Sequence, residues 1–312
     1  MTKRVKFQLY DEVGRAITDT GGKVMAVART RATLTYTAQT ANYTAGATLT
    51  GVTSGATAKI LSDVDAGATG TLTIYGIEGM FINGETITDS VTGSAVAGTY
   101  TASQVRSCVK DRMFNKQGAL ITNPMSMTNG AVEFFVGDQT QSLDLYIQSP
   151  TGHFLLKNDF RPEEGAGYSV DTTIRHTLMQ IPFHAVDYTA AAEVSTGFSE
   201  PSNALALPNP AIRVLTLQAA KTILAGGLSS ESNGVAAGYI NGISLAAVGV
   251  VKATNVNGAN TMGSYFKVQD SANAGDIAPE ARVTQPNTLT ITTSAATTTA
   301  EGWLMLPYEL AY

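Results

Sequence analysis

Charge is scarce in this chain: only 14% of its 312 residues are Asp, Glu, Lys or Arg, against about 25% in ordinary soluble domains. The basic residues never gather, the densest group being Lys3, Arg4 and Lys6, and the net charge is −5. Phosphate backbones are held by clustered Lys and Arg, so nucleic acid is not an expected partner. Cysteine is nearly absent as well. The lone Cys108 cannot form an intrachain disulfide, which excludes a stapled secreted scaffold and fits assembly in a reducing compartment. Long apolar runs are missing: the longest, residues 245–251, falls far short of the roughly 20 residues of a membrane-spanning helix. The segment from Met1 to Asp11 is charged and alternating rather than a basic tip followed by an apolar run. A soluble chain with no export signal and no membrane partner is expected.

What the sequence does hold is glycine and threonine, 30 and 42 residues. Both weaken helices, and β-branched segments cut by Gly every few residues suit short strands and tight turns. The expected class is all-β, and the length implies about two domains.

Two internal repeats order the N-terminal half. Leu9-Tyr10-Asp11-Glu12-Val13-Gly14-Arg15-Ala16-Ile17-Thr18 matches Met113-Phe114-Asn115-Lys116-Gln117-Gly118-Ala119-Leu120-Ile121-Thr122, each a strand end, a polar turn closed by Gly, and a new strand. Val5, Phe7 and Leu9 alternate with polar neighbours, as do Leu143, Leu145 and Ile147 with Asp144, Tyr146 and Gln148. That is the pattern of half-buried antiparallel strands. In the second repeat Tyr43, Gly46, Leu49 and Gly55 recur 38 residues later as Phe81, Gly84, Ile87 and Gly93. Residues 1–35 and 104–160 thus read as an N-terminal β-sandwich, interrupted by an inserted β-module over 36–103. The module sets Lys59 against Asp63, Asp65, Glu78, Glu85 and Asp89. Its acidity suggests a surface that projects outward.

Arg161-Pro162-Glu163-Glu164-Gly165 marks a linker over 161–172. Residues 173–312 read as a C-terminal β-sandwich, jelly-roll-like, with strands at Ile174–Ile181, Ile212–Leu217, Ile243–Val251, Tyr265–Val268, Leu289–Ile291 and Trp303–Tyr308. The stretch Thr216–Leu224 is left open as one or two helical turns. Between Asn203 and Met262 only Arg213, Lys221, Glu231 and Lys252 are charged. Parts of this domain are therefore expected to face protein, which suggests self-association.

Motifs of chemistry are incomplete. Gly242-Ile243-Ser244-Leu245-Ala246 lacks the final Gly of a nucleophile elbow. Lys23 follows Gly21-Gly22, but Ile17 stands where a phosphate loop begins, and Gly165-Ala166-Gly167 is followed by Val170 where a dinucleotide fingerprint has Gly. His153, His176 and His184 are too few and too irregular for structural zinc, although His176 and His184 could meet across a break at Pro182. Asp63-x-Asp65-x-Gly67 opens like a calcium loop without its later ligands and reads better as a hairpin turn. Tyr36, Tyr43, Tyr75, Phe81 and Tyr100 fill a small core more readily than they stack on sugars. The tail from Trp303 to Tyr312 reads as a last strand. No catalytic, cofactor-binding or metal-binding residue is assigned, and the chain is expected not to be an enzyme.

Gly79-Met80-Phe81-Ile82-Asn83-Gly84-Glu85-Thr86-Ile87-Thr88 and Gly46-Ala47-Thr48-Leu49-Thr50-Gly51-Val52-Thr53-Ser54-Gly55-Ala56-Thr57-Ala58 resemble the Gly-Glu and Ser-Gly-Ala-Thr-Ala modules of tailed-bacteriophage virion proteins. The first copy departs by carrying Ala47 in place of the Glu. Residues 239–252 and Gly302-Trp303-Leu304-Met305-Leu306-Pro307-Tyr308 resemble the C-terminal β-domains of phage head-decoration and fibre proteins. The resemblance covers about half the chain. It implies a non-enzymatic virion structural protein, assembled in the host cytoplasm: a capsid decoration or cement protein bound to the major capsid protein as a homo-oligomer, a trimer by analogy, beside other virion proteins. The alternative it implies is a tail fibre or receptor-binding protein contacting host glycans.

Overall fold

The computed structural model describes residues 2–91, 93–162, 166–169, 176–188, 192–201, 204–219, 221–232, 234–253, 261–266, 281–283, 286–294 and 299–310. Among them the chain is all-β, of β-sandwich type, with two single 3-10 turns and no α-helix.

The first sandwich has a five-stranded sheet ordered Leu120–Ile121, Met113–Phe114, Ala131–Val136, Lys3–Tyr10 and Ala166–Ser169. Facing it is a four-stranded sheet of Met125–Ser126, Lys23–Ala28, Leu143–Gln148 and Phe154–Phe160. Val5, Phe7, Leu9, Val24, Ala26, Phe134, Leu145 and Ile147 fill the space between them. The strand Ala166–Ser169 corrects the linker reading of 161–172, since it runs parallel to Lys3–Tyr10 with Phe7 opposite Ala166. Pairing with a strand so distant in sequence leaves no local signal. The turn repeat is reproduced bond for bond. Asp11 Oδ1 accepts from the N–H groups of Val13 and Arg15, and Asn115 Oδ1 accepts from those of Gln117 and Ala119. Gly14 and Gly118 sit at φ of 78° and 80°, where a side chain is strained.

Residues 30–104 form a closed six-stranded barrel ordered Thr30–Thr37, Thr69–Glu78, Thr57–Asp65, Thr48–Gly51, Thr86–Asp89 and Ser94–Gln104. The expected start at residue 36 was late: Thr30–Thr37 alternates buried and outward residues throughout and pairs inside the barrel. In chain order the 38-residue offset maps Thr30–Thr37, Thr48–Gly51 and Thr57–Asp65 onto Thr69–Glu78, Thr86–Asp89 and Ser94–Gln104, so the barrel is two interlocked copies of one unit. Tyr36, Tyr43, Leu49, Phe81 and Ile87 pack its interior, with Tyr36 and Tyr43 edge to face at 5.4 Å.

The copies differ in how a carboxylate satisfies each tight turn. Glu85 accepts from the N–H groups of Thr53, Ser54 and Ile82 and from the Ser54 hydroxyl at 2.7–3.1 Å. A Cβ on Gly51 would lie 2.6 Å from Glu85 Oε1, which explains glycine there. In the other copy Ala47 supplies no carboxylate, and Asp89, at the position matching Gly51, accepts from Val91 and Gly93 instead. Burial opposes the charge on Glu85, but the donors of Ile82, Ser54 and Thr53 outweigh it and hold its pKa below the ordinary value. Its contribution is therefore present above the usual carboxylate range and lost as pH falls through the lowered pKa. Glu85→Ala is expected to cost about 2–3 kcal/mol at pH 7 by orphaning these donors, with a smaller deficit in strong acid, as read by urea denaturation.

The C-terminal sandwich places Gly249–Lys252, Ala211–Thr216, Glu301–Leu310, Ala204–Ala206 and Ala281–Val283 in one sheet, with His176–His184 paired along Glu301–Leu310. The other holds Glu193–Ser199, Thr288–Thr293, Thr222–Gly227, Ile240–Ser244 and Thr261–Met262. Several expectations change here. Ile243–Val251 is not one strand, because the chain turns after Ser244 and its two halves join different sheets. Among the described residues of 216–224 none is helical: Thr216 ends one strand and Thr222 begins another, Thr222–Gly227. Tyr265 lies in a 3-10 turn, Ser264–Phe266. Ile174 and residues 267–268 lie outside the described residues.

Candidate functional site

The residues considered from sequence are dispersed. Ser244 ends a strand and its hydroxyl accepts from the Ala246 N–H. Lys23 Nζ donates to Ser126 Oγ at 2.8 Å, and Ala166-Gly167 is part of a strand. His176 and His184 do not meet across Pro182, because they begin and end one extended strand in which Pro182 pairs with Trp303. Eight residues of strand separate them by roughly 26 Å. His153 is buried in a turn, with Nδ1 3.0 Å from Thr151 Oγ1. Asp65 Oδ1 accepts from the Gly67 N–H at 2.7 Å, closing a hairpin, while Asp63 accepts from the Tyr36 hydroxyl. Among the described residues no three His, Cys, Asp or Glu side chains are grouped to hold a metal ion. Tyr36, Tyr43, Tyr75 and Phe81 are buried, and Tyr100 is half-buried against Phe81.

What the tertiary structure brings together is a junction of all three modules. Strands Lys23–Ala28 and Leu143–Gln148 are buried on both faces. Val24, Ala26, Leu145 and Ile147 face the first sandwich, while Met25, Val27 and Tyr146 join the C-terminal core with Cys108 and Trp303. Trp303 Nε1 donates to the Tyr146 hydroxyl at 2.7 Å, and the Arg106 and Arg213 guanidinium groups lie 4.7 and 5.6 Å from its ring, each a favourable cation–π contact. Glu301 Oε1 accepts from Arg31 Nη2 of the barrel at 2.7 Å and from the Cys108 N–H at 2.8 Å. Arg31 also donates to Ser107 Oγ at 2.7 Å. Burial pushes the Cys108 thiol well above its ordinary pKa, so the group is inert packing.

The barrel is also tied to the first sandwich. Arg112 Nη1 donates to Thr57 Oγ1 and to the Gly76 carbonyl at 3.0 and 3.2 Å, and the Gly79 N–H donates to Asp138 Oδ1 at 2.8 Å. The module's acidic residues are turned to such internal uses. Glu78 faces Arg112, Asp63 faces Tyr36, and Glu85 and Asp89 hold turns. These four carboxylates thus have partners within the protein, while Asp65 is exposed. The sequence pattern missed this because a polar residue bonded to another module has the same alternation as one in water.

Two apolar groups stand exposed on the surface. On the barrel, Val52 and Ile82 flank the turn that Glu85 holds, with Met80 two residues before Ile82. On the C-terminal domain, Leu217, Ala246, Ala247, Val248 and Val250 are exposed around the edge strand Gly249–Lys252. No known family, curated protein or solved structure matches this chain.

Proposed function

We propose that this chain is a non-enzymatic structural protein of a tailed-phage virion that decorates the outer shell as a homo-oligomer. The observation that carries the reading is the exposed group Leu217, Ala246, Ala247, Val248 and Val250 beside a sheet edge in the sparsely charged stretch anticipated to face protein. An apolar patch on a strand edge is suited to repeated contact with an identical or repeating partner. Closed symmetry then multiplies weak contacts across a lattice. The junction suits such a part, since bonds between side chains tie the three β-modules to one another.

The purified chain is expected to be an oligomer by light scattering, and Val248→Asp to shift it to monomer with its circular dichroism unchanged. Monomers in both cases would reject self-association. Cryo-electron microscopy of the parent particle would place the protein over capsomers; density at the tail would reject decoration in favour of a fibre or receptor-binding role.

A further inference from the structure

An open cleft of about 650 Å³ lies where the barrel meets the first sandwich, within the size range of small-molecule sites. Its walls are polar: Lys3, Arg29, Gln104, Gln141, Asp159 and Arg161 contribute, and among the described residues Pro162 is the sole apolar side chain lining it. Such a lining offers nothing for a nucleobase, an acyl chain or an aromatic group to stack on.

The charges decide what fits. Arg29 is anchored from below, its Nη1 3.1 Å from the buried Asp144 Oδ1. Asp144 also accepts the Asp159 N–H at 2.9 Å. Arg29 Nε also lies 4.0 Å from Asp159 Oδ1, so among the described residues Lys3, Arg29 and Arg161 stand against Asp144 and Asp159, one positive charge in excess. Lys3 Nζ donates to the Thr140 carbonyl at 2.9 Å. Gln141 Oε1 accepts from Gln104 Nε2 at 3.2 Å, and Arg161 has no partner among the described residues. Among the described residues the cleft thus presents the cationic donors Lys3 and Arg161 beside one lining carboxylate, Asp159.

Asp159 is held at φ 55° on a strand whose register with Leu143–Gln148 is interrupted by a bulge. A bulge re-aims a side chain, and a non-glycine residue in the left-handed region is a cost that persists where the surrounding structure requires it. Here it sets a carboxylate, 58% exposed, among cations. A pure acceptor such as phosphate would be repelled by Asp159 and overcharged for a single excess cation. A ligand with one carboxylate and several hydroxyls answers both: its anion meets Lys3 and Arg161, and a hydroxyl donates to Asp159.

We infer that this cleft binds an acidic saccharide, a polyhydroxylated monocarboxylate of the uronate class. The site lies on a different module from the Leu217–Val250 patch, so it stands or falls independently of the assembly reading. The test is calorimetric titration of the full chain with trigalacturonate, maltotriose and inorganic phosphate. Trigalacturonate is expected to bind and maltotriose not to. Arg161→Ala should weaken trigalacturonate tenfold or more with oligomeric state unchanged, and Asp159→Asn should weaken trigalacturonate while improving phosphate. Absence of trigalacturonate binding, equal affinity for phosphate, or indifference to Arg161→Ala in a folded variant would each overturn the assignment.

Discussion

Glu301→Ala is expected to lower the unfolding free energy by about 3 kcal/mol, the low end of what removing one partner of a buried ion pair costs. The low end applies because the Arg31 side chain keeps 17% of its exposure, whereas that of Glu301 keeps 5%. The loss has two sources: Arg31 is left without its counter-charge, and the buried Cys108 N–H is left without an acceptor. Glu301→Gln retains an acceptor for Cys108 and should cost less. Because the carboxylate joins barrel, connector and C-terminal domain, Glu301→Ala should also loosen their cooperativity, splitting a single calorimetric transition. A urea midpoint shift worth less than about 1 kcal/mol would show that hydrophobic contact alone holds the modules together.

Asp111→Asn is expected to stabilise the protein at pH 7 by up to about 3 kcal/mol and to lose that advantage by pH 4. Burial raises the Asp111 carboxyl from 3.8 to about 6, and the Arg112 N–H, the Thr140 hydroxyl and the Arg112 charge recover only part of the loss. A raised folded pKa makes a contribution that is full below 3.8 and lost as pH climbs through 6, at about 1.4 kcal/mol per pH unit. Asn keeps the shape, with an oxygen for the Arg112 N–H and an amide for Thr140.

His184 works in the opposite sense. Burial lowers it from 6.5 to about 4; Glu301 across the strand pair opposes the shift and Arg31 adds to it. Its neutral Nδ1 accepts the Val186 N–H at 3.1 Å. Its contribution is therefore full above pH 6.5 and lost as pH falls through 4. The two trends nearly offset between pH 4 and 6. Relative to the parent chain, Asp111→Asn should weaken on acidification and His184→Asn should strengthen, as read by urea midpoints across that range. Parallel curves for all three proteins would contradict both assignments.

The inserted module's repeat was legible because a 38-residue period carries its own evidence, Tyr43 and Phe81, Leu49 and Ile87 being buried in equivalent places, whereas its closure into a barrel was not read from the sequence. The paired Asp11 and Asn115 turns were legible for the same reason, since an Asx side chain followed by Gly three residues later encodes a local hydrogen-bond pattern. Ala166–Ser169 and the break after Ser244 were not, because both depend on which distant strand is available to pair.

Asp144 and Gln148 show the limit most clearly. Alternation with Leu143, Leu145 and Ile147 assigned them to a wet face, yet Asp144 is 1% exposed, and Gln148 bonds both the N–H and the carbonyl of Ser199. The sequence by itself determined the strand class, the repeats and the turns, because these rest on residues a few positions apart. Only the tertiary structure decided that three modules share buried faces, where Arg31 finds Glu301 and Trp303 finds Tyr146. Alternation records that a side chain is polar, while its partner, water or another module, is chosen by long-range packing.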